Sequence, residues 1–251
     1  MCIPEIPINM KISFCLVFII VFTVSWASEK ADSSRTKLQA YATVSINSNG
    51  IASIPAFSLD KPAIIASATL AKGRFSYDPT LAYGFDLRPW FIDNWLHYKI
   101  IARPAFDLVA GFNISSFFTQ NKPADEIILK GERYFALALT GVYRVSPNSI
   151  LTFAYWNDRG QEKESLLGHF LCFTGEKSEI PVGKSVLFAA AVQLFYINYT
   201  GRNDGLFVSP KIAFSIRNVP LSIFSQATQA LNSNISPYPK FRWNLGLSCT
   251  F

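Results

Sequence analysis

From Lys37 to the end of the chain, apolar residues recur at every second position in stretches of roughly ten, with polar or small residues between them. Leu38, Ala40, Ala42, Val44 and Ile46 alternate with Gln39, Tyr41, Thr43, Ser45 and Asn47. Phe106, Leu108, Ala110, Phe112 and Ile114 alternate with Asp107, Val109, Gly111, Asn113 and Ser115. Successive side chains of an extended chain point to opposite faces, so a period of two predicts strands with one apolar face. The pattern predicts strands near 37–46, 62–71, 74–87, 90–101, 105–116, 132–144, 149–157, 165–174, 184–197, 206–217, 219–228 and 239–251. That is about twelve, with ten or fourteen as alternatives, and about 19 residues for each strand with its connection. The polar face is mostly small residues with an occasional charge, which suits a crowded wet interior better than a dry core.

The connections carry a second regularity. Those after odd-numbered strands are mostly long: Asn47 to Lys61, Thr119 to Gly131, Asn157 to Glu164, Asn198 to Gly205 and Leu231 to Pro239. Those after even-numbered strands are mostly short, as at Ala71-Lys72-Gly73, Ala102-Arg103-Pro104 and Ser146-Pro147-Asn148. Long loops at one end and tight turns at the other are expected of an up-and-down barrel. Arg88-Pro89 is too tight for this rule, and Gly175 to Gly183 too long. Pro79 predicts a lost ladder bond, and with it a bulge or a mid-strand loop. Ser185 to Ile197 is apolar on both faces except Gln193, and 165–173 alternates poorly, so the period leaves their facing open. One reading packs the inner side of Val186 to Leu194 on something within the barrel.

The last strand alternates most cleanly. Phe241, Trp243, Leu245, Leu247, Cys249 and Phe251 interleave with Lys240, Arg242, Asn244, Gly246, Ser248 and Thr250. Here the chain resembles bacterial outer-membrane β-barrel proteins, whose final strand alternates apolar residues and ends in Phe. The resemblance covers the whole alternating chain and identifies a class, not one family. It implies a closed barrel in the outer membrane. It also implies that Phe241, Trp243, Leu245, Leu247 and Phe251 form the signal read by the barrel-assembly machinery.

Composition agrees. Half the residues are apolar and only 16% are charged, below the roughly one quarter of an ordinary soluble domain. Mean hydropathy is positive at +0.22. The one long apolar run, Ile12 to Trp26, follows Lys11 and closes at Ser25-Trp26-Ala27, the form of a cleaved export signal. Residues 1–27 are therefore expected to be a signal peptide and 28–36 a short periplasmic segment, with the barrel over 37–251. A twenty-residue apolar helix is lacking elsewhere in the sequence, so the surplus of apolar residues sits on strands. After cleavage the charge stays at +6, because Glu5 and Lys11 leave together. Cys172 and Cys249 are then the remaining cysteines, too few for a disulfide framework. His97 and His169 are the only histidines, so no metal cluster or other cofactor is implied. Lys and Arg concentrate in connections without an aromatic–basic motif. That argues against nucleic acid and for anionic lipid at the membrane surface.

Projecting side chains inward gives the candidate lumen residues Asp78, Asp86, Asp93, His97, Lys99, Asp107, Lys211, Arg217 and Arg242. In a twelve-strand barrel, an acidic wall on strands three to five faces a basic wall on strands ten and twelve. Unpaired, these walls set a transverse field that orients polar solutes; alternatively, the charges pair locally. Tyr77, Trp90, Phe91, Tyr98, Phe117, Tyr143, Trp156, Tyr196 and Trp243 lie near strand ends and are expected in interfacial girdles.

A barrel hydrolase needs a nucleophile–base pair, and the available pieces are Ser165 with His169, or His97 with Asp93. Each pair is four residues apart, about 13 Å along a strand, too far for a hydrogen bond. The expectation is a non-enzymatic channel or binding pore for small polar solutes. The alternative is a closed structural barrel that acts through outer loops at 47–61 and 117–131.

Overall fold

The computed structural model describes residues 37–52, 58–121, 128–162, 165, 167–199, 203–235 and 240–251. The expected signal peptide and the segment 28–36 lie outside the described residues, as does the middle of the expected loop 117–131. The strands are β1 (Gln39–Asn47), β2 (Ala63–Lys72), β3 (Phe75–Gly84), β4 (Pro89–Ala102), β5 (Phe106–Asn121) and β6 (Ile128–Ser146). They continue as β7 (Ser149–Gly160), β8 (Leu167–Val182), β9 (Val186–Tyr199), β10 (Asn203–Ile216), β11 (Leu221–Ser233) and β12 (Phe241–Thr250). Each strand pairs antiparallel with its sequence neighbours, and β12 closes on β1. The closing seam is short. Its register runs from Thr43 opposite Thr250 to Asn47 opposite Gly246, with backbone bonds joining Phe251 to Ala42 at 2.8 and 3.2 Å.

Closure removes sheet edges, and alternation then decides what faces out. On β12, Arg242 and Asn244 are 7% and 2% exposed, while the intervening Trp243 is 58% exposed. The same outward belt carries Leu96, Phe112, Ile114, Leu137, Phe153 and Leu171. A closed wall with this much apolar surface turned outward is stable in lipid and not in water.

Three expectations about connections are corrected. The expected long connection after Gly175 is strand: β8 runs on to Val182 and turns at Gly183, whose φ of +78° needs a glycine. Most of the loop expected at 117–131 is also strand, because β5 extends to Asn121 and β6 begins at Ile128. At 19 residues, β6 spans about 63 Å, so the β5–β6 hairpin stands well clear of a bilayer that needs about 9–11 residues per strand. The third concerns Pro79, which neither bulges nor divides β3. It sits opposite Asn94 in a regular β3–β4 ladder, and the nearest shift falls later, between Ala82 and Tyr83.

The missing proline donor shows on the other side. The β2–β3 register passes from Ser67–Thr80 to Leu70–Tyr77, and the Thr69 hydroxyl bridges the gap by donating to Asp78 at 2.6 Å. Pro210 repeats the arrangement. The β10–β11 register passes from Val208–Gln229 to Lys211–Gln226, and the Ser209 hydroxyl donates to the Ala227 carbonyl at 2.8 Å. At Pro210 the hydroxyl takes a backbone carbonyl of the facing strand, as a ladder donor would; at Pro79 it ties the two strands through the Asp78 carboxylate instead.

The inner side of β9 packs at its loop end, beyond the Val186 to Leu194 stretch of the expected packing, whose side chains are not buried. Phe195, Ile197 and Tyr199 bury against Phe170, Cys172 and Phe207, and Phe195 stacks on Phe207 with centroids 5.1 Å apart.

Candidate functional site: the loop-side mouth of the barrel

Register places the inward residues in rows around the wall. One row runs Asp78, Trp95, Asn113, Ala136, Asp158 and Gly168 across β3 to β8. The row nearer the turns runs Ser76, His97, Gly111, Ala138, Trp156 and Phe170 through the same strands. Small residues at Gly111, Ala136 and Ala138 leave the wall low between β4 and β7. Trp95 lies across this gap, parallel to the His97 ring at 5.4 Å, and its ring centroid reaches within 5.8 Å of that of Trp156. From there Phe170 and Tyr199 continue the line of rings, each step a little over 6 Å. A second line joins Phe91, Phe117 and Tyr134.

These rings enclose a cavity of about 200 Å³, lined among others by Phe91, Asp93, Trp95, Asn113, Ser115, Trp156, Asp158 and Phe170. It has room for several waters or a small solute. Asp93 accepts a hydrogen bond from the Asn113 amide at 2.6 Å and one from the Trp95 indole N–H at 3.3 Å. Asp158 is 8% exposed and lies within Coulombic reach of Asp93. No side chain among the described residues hydrogen-bonds to it; the Arg159 backbone N–H does.

The first loop reaches this cavity through Ile51 and Ala52. Its described parts are pinned to β12. Asn244 accepts from the Asn49 backbone N–H at 3.0 Å and donates to Asn47 at 2.8 Å. Arg242 grips Asp60 through Nε and Nη2 at 2.6 and 2.7 Å, a bidentate fork. Gly50 is required here: a Cβ would come within 2.9 Å of the Trp90 ring and 3.0 Å of Leu59. Across the mouth, the loop after β7 is held to β6 by Glu162, which accepts from the Arg133 backbone N–H and guanidinium. Those bonds hold the Glu162 carboxyl below its ordinary range.

The nine candidate lumen residues have the following surroundings. Asp78 accepts from Thr69 and Ser76 and pairs with His97 Nδ1 at 2.8 Å. Asp86 lies in the tight turn between β3 and β4, paired with Lys61 and Arg88. Asp107, nearly buried at the turn end, takes Arg144 at 2.6 Å and Lys99 at 3.4 Å. Lys211 sets its ammonium 4.6 Å from the centroid of the Phe224 ring. Arg217 is in the exposed turn after β10 and not on a strand. Asp93 lines the cavity, and Arg242 holds the first loop. Asp78, Asp86, Asp107 and Arg242 thus find charged partners on neighbouring strands and loops, which is local pairing. Asp93 instead has neutral donors, and Lys211 a ring.

The expected girdle divides. Tyr98, Tyr143 and Trp243 are exposed on the outer face. Phe91, Phe117 and Trp156 line the cavity, and Trp90 is buried with Ala63 and Ala82. These four are corrections. Phe91, Phe117 and Trp156 hold inward positions of their strands, in step with Asp93, Asn113 and Asp158, and nearness to a strand end does not decide which face a ring takes. Asp158 lies one residue beyond the expected seventh strand at 149–157, and in the structure it shares the inward face of β7 with Trp156.

The proposed enzyme pieces stay apart. His97 pairs with Asp78 and not with Asp93. The Ser165 hydroxyl donates to the Glu162 carbonyl at 2.6 Å, while His169 Nδ1 meets the Tyr155 hydroxyl at 2.7 Å.

No protein-family profile matches the chain, and no curated protein is similar to it in sequence. Solved structures do resemble it. A KdgM porin in complex with disordered oligogalacturonate superposes with a TM-score of 0.54 at 9% identity, over 84% of this chain and 99% of that one. The COG4313 outer membrane channel from Pseudomonas putida F1 gives 0.50 at 10% identity, over 89% of this chain and all of that one. At such identities the likeness shows the fold. It is the closed antiparallel barrel of bacterial outer-membrane proteins.

Proposed function

We propose that the chain spans the bacterial outer membrane and carries small polar solutes through its lumen. One observation supports this most: around a closed wall, Asp93, Asn113 and Asp158 turn inward to a cavity while Phe112, Ile114 and Leu137 turn outward. An inner face lined by carboxylates and amides is suited to water and polar solutes, and an outer face of aliphatic and aromatic residues to lipid. In this reading the barrel is a conduit and not a hydrolase, and the outward Phe241, Trp243, Leu245 and Leu247 with Phe251 form its assembly signal. Planar-bilayer recording of the refolded chain tests the proposal: discrete open steps are expected.

A second reading has its own support. Phe170, Phe195, Ile197 and Phe207 fill part of the interior near β8 to β10. A barrel closed by that cluster would serve through its loops, and a silent bilayer with correctly folded protein would favour it.

A further inference from the structure

We infer that the mouth cavity is a binding site for small organic cations, solutes that carry an ammonium or guanidinium group on an apolar or planar body. The inference rests on the conduit reading above and names the solute class it would favour. Among the described residues, its lining contains two carboxylates, Asp93 and Asp158, and no lysine, arginine or histidine. Other wall carboxylates have cationic partners: Asp78 has His97, and Asp107 has Lys99 and Arg144. Asp93 has two neutral side-chain donors, and Asp158 lacks even those. Asp158 is more than nine-tenths buried, lines the cavity, and has no side-chain partner among the described residues.

A buried carboxylate without a counter-ion is costly, and a bound cation relieves that cost. A second orphan lies beside it. The Tyr199 hydroxyl is buried with no hydrogen-bond partner, within Coulombic reach of Asp158. The walls supply the other half of the recognition. Trp95 and Trp156 present tilted indole rings to the same cavity, and indole faces attract cations. Asp93 is already oriented by Asn113 and Trp95, so it is preorganised for a donor. Anionic solutes meet only repulsion at this point. Neutral sugars could stack on the rings but would leave Asp158 without a counter-charge.

The test uses the full mature chain refolded in detergent, with agmatine as the cation, succinate as the anion and maltose as the neutral probe. Binding is read by calorimetry and by tryptophan fluorescence. Agmatine is expected to bind and succinate not. The double substitution Asp93→Asn with Asp158→Asn is expected to weaken agmatine by about tenfold or more, the loss typical of charge-assisted hydrogen bonds. Glu179→Gln, exposed near the turn end, should leave binding unchanged. Equal or tighter binding of maltose, or an unchanged agmatine affinity in the double variant, overturns the inference. Conductance is measured on the same preparation. Open channels without agmatine binding sink the cation site and leave the conduit standing. Carboxylate-dependent binding without conductance does the reverse.

Discussion

Trp95 on β4 and Trp156 on β7 bring their ring centroids to 5.8 Å across two intervening strands. The contact exists because Gly111 and Ala138 beneath it have almost no side chain. A Cβ at Gly111 would stand 3.0 Å from His97 Cδ2, 3.1 Å from Trp95 Cζ3 and 3.2 Å from Ala138 Cβ. Gly111→Val therefore lifts the Trp95 ring, with His97 behind it, and draws it from Trp156. Overpacking of this kind costs about 1–3 kcal/mol. The expected result is a lower denaturant midpoint together with loss of the near-ultraviolet signal of the coupled indoles. An unchanged near-ultraviolet spectrum would show that the rings are held by something other than the low floor.

The first loop is fastened to the far end of the chain by Asp60 and Arg242, 182 residues apart in sequence. The Arg242 side chain is only 7% exposed, that of Asp60 46%. Asp60→Asn leaves a buried guanidinium without its carboxylate. Breaking a fully buried pair costs about 3–5 kcal/mol, and the half-exposed carboxylate lowers that to about 1–2 kcal/mol. The local effect should exceed the global one. Limited chymotrypsin digestion is expected to cut after Leu59 faster in the variant, with heat-dependent gel mobility of the barrel retained. Equal cutting rates would mean that the Asn244 contacts alone hold the loop.

Both in-strand prolines are bridged by an inner-face hydroxyl, which gives two substitutions with one predicted sign. Thr69→Val and Ser209→Ala each remove the bridge beside a missing ladder bond. Each should destabilise by about 1 kcal/mol, and by up to about 3 kcal/mol where the orphaned partner is buried. Ser209 is 5% exposed, and its hydroxyl also meets Thr228 and the Gln226 amide, so it should be the costlier loss. Unfolding in guanidinium from detergent micelles measures both. A Thr69 variant costlier than the Ser209 variant would contradict the bridging account.

These elements mark where sequence reading works and where it stops. The period of two located most of the twelve strands; β8 and β9, where alternation is poor or both faces are apolar, rested on length and spacing. The period works because lipid outside and water inside impose opposite polarity on adjacent residues. Arg242 and Asn244 could be placed inward for that reason alone. Nearness to a strand end is the weaker guide: by position Phe91, Phe117 and Trp156 read as girdle residues, yet their parity with Asp93, Asn113 and Asp158 puts them inside. Ion pairs such as Asp78–His97 and Asp107–Arg144 depend on register between strands, and no single strand's sequence states its register. The reach of Trp95 to Trp156 is further still from local signal. It follows from glycine and alanine on two other strands.

Phe207 sets how wide the lumen is beside β9 and β10. Its ring is fully buried and stacks on Phe195 at an interplanar angle of 14°. Phe170, Phe195, Ile197 and Tyr199 close around it, so it fills interior space and does not face lipid. Phe207→Ala removes a ring that its neighbours cannot fully replace, because they are fixed to β8 and β9 by their own ladders. The cavity costs about 3–5 kcal/mol in stability. If solutes pass along this wall, the same change enlarges their path, and single-channel conductance should rise while unfolding comes earlier. Stability lost with conductance unchanged would place the conducting path on the opposite side, beside Trp95 and Asp93. Steps appearing only in the variant would make the cluster a plug.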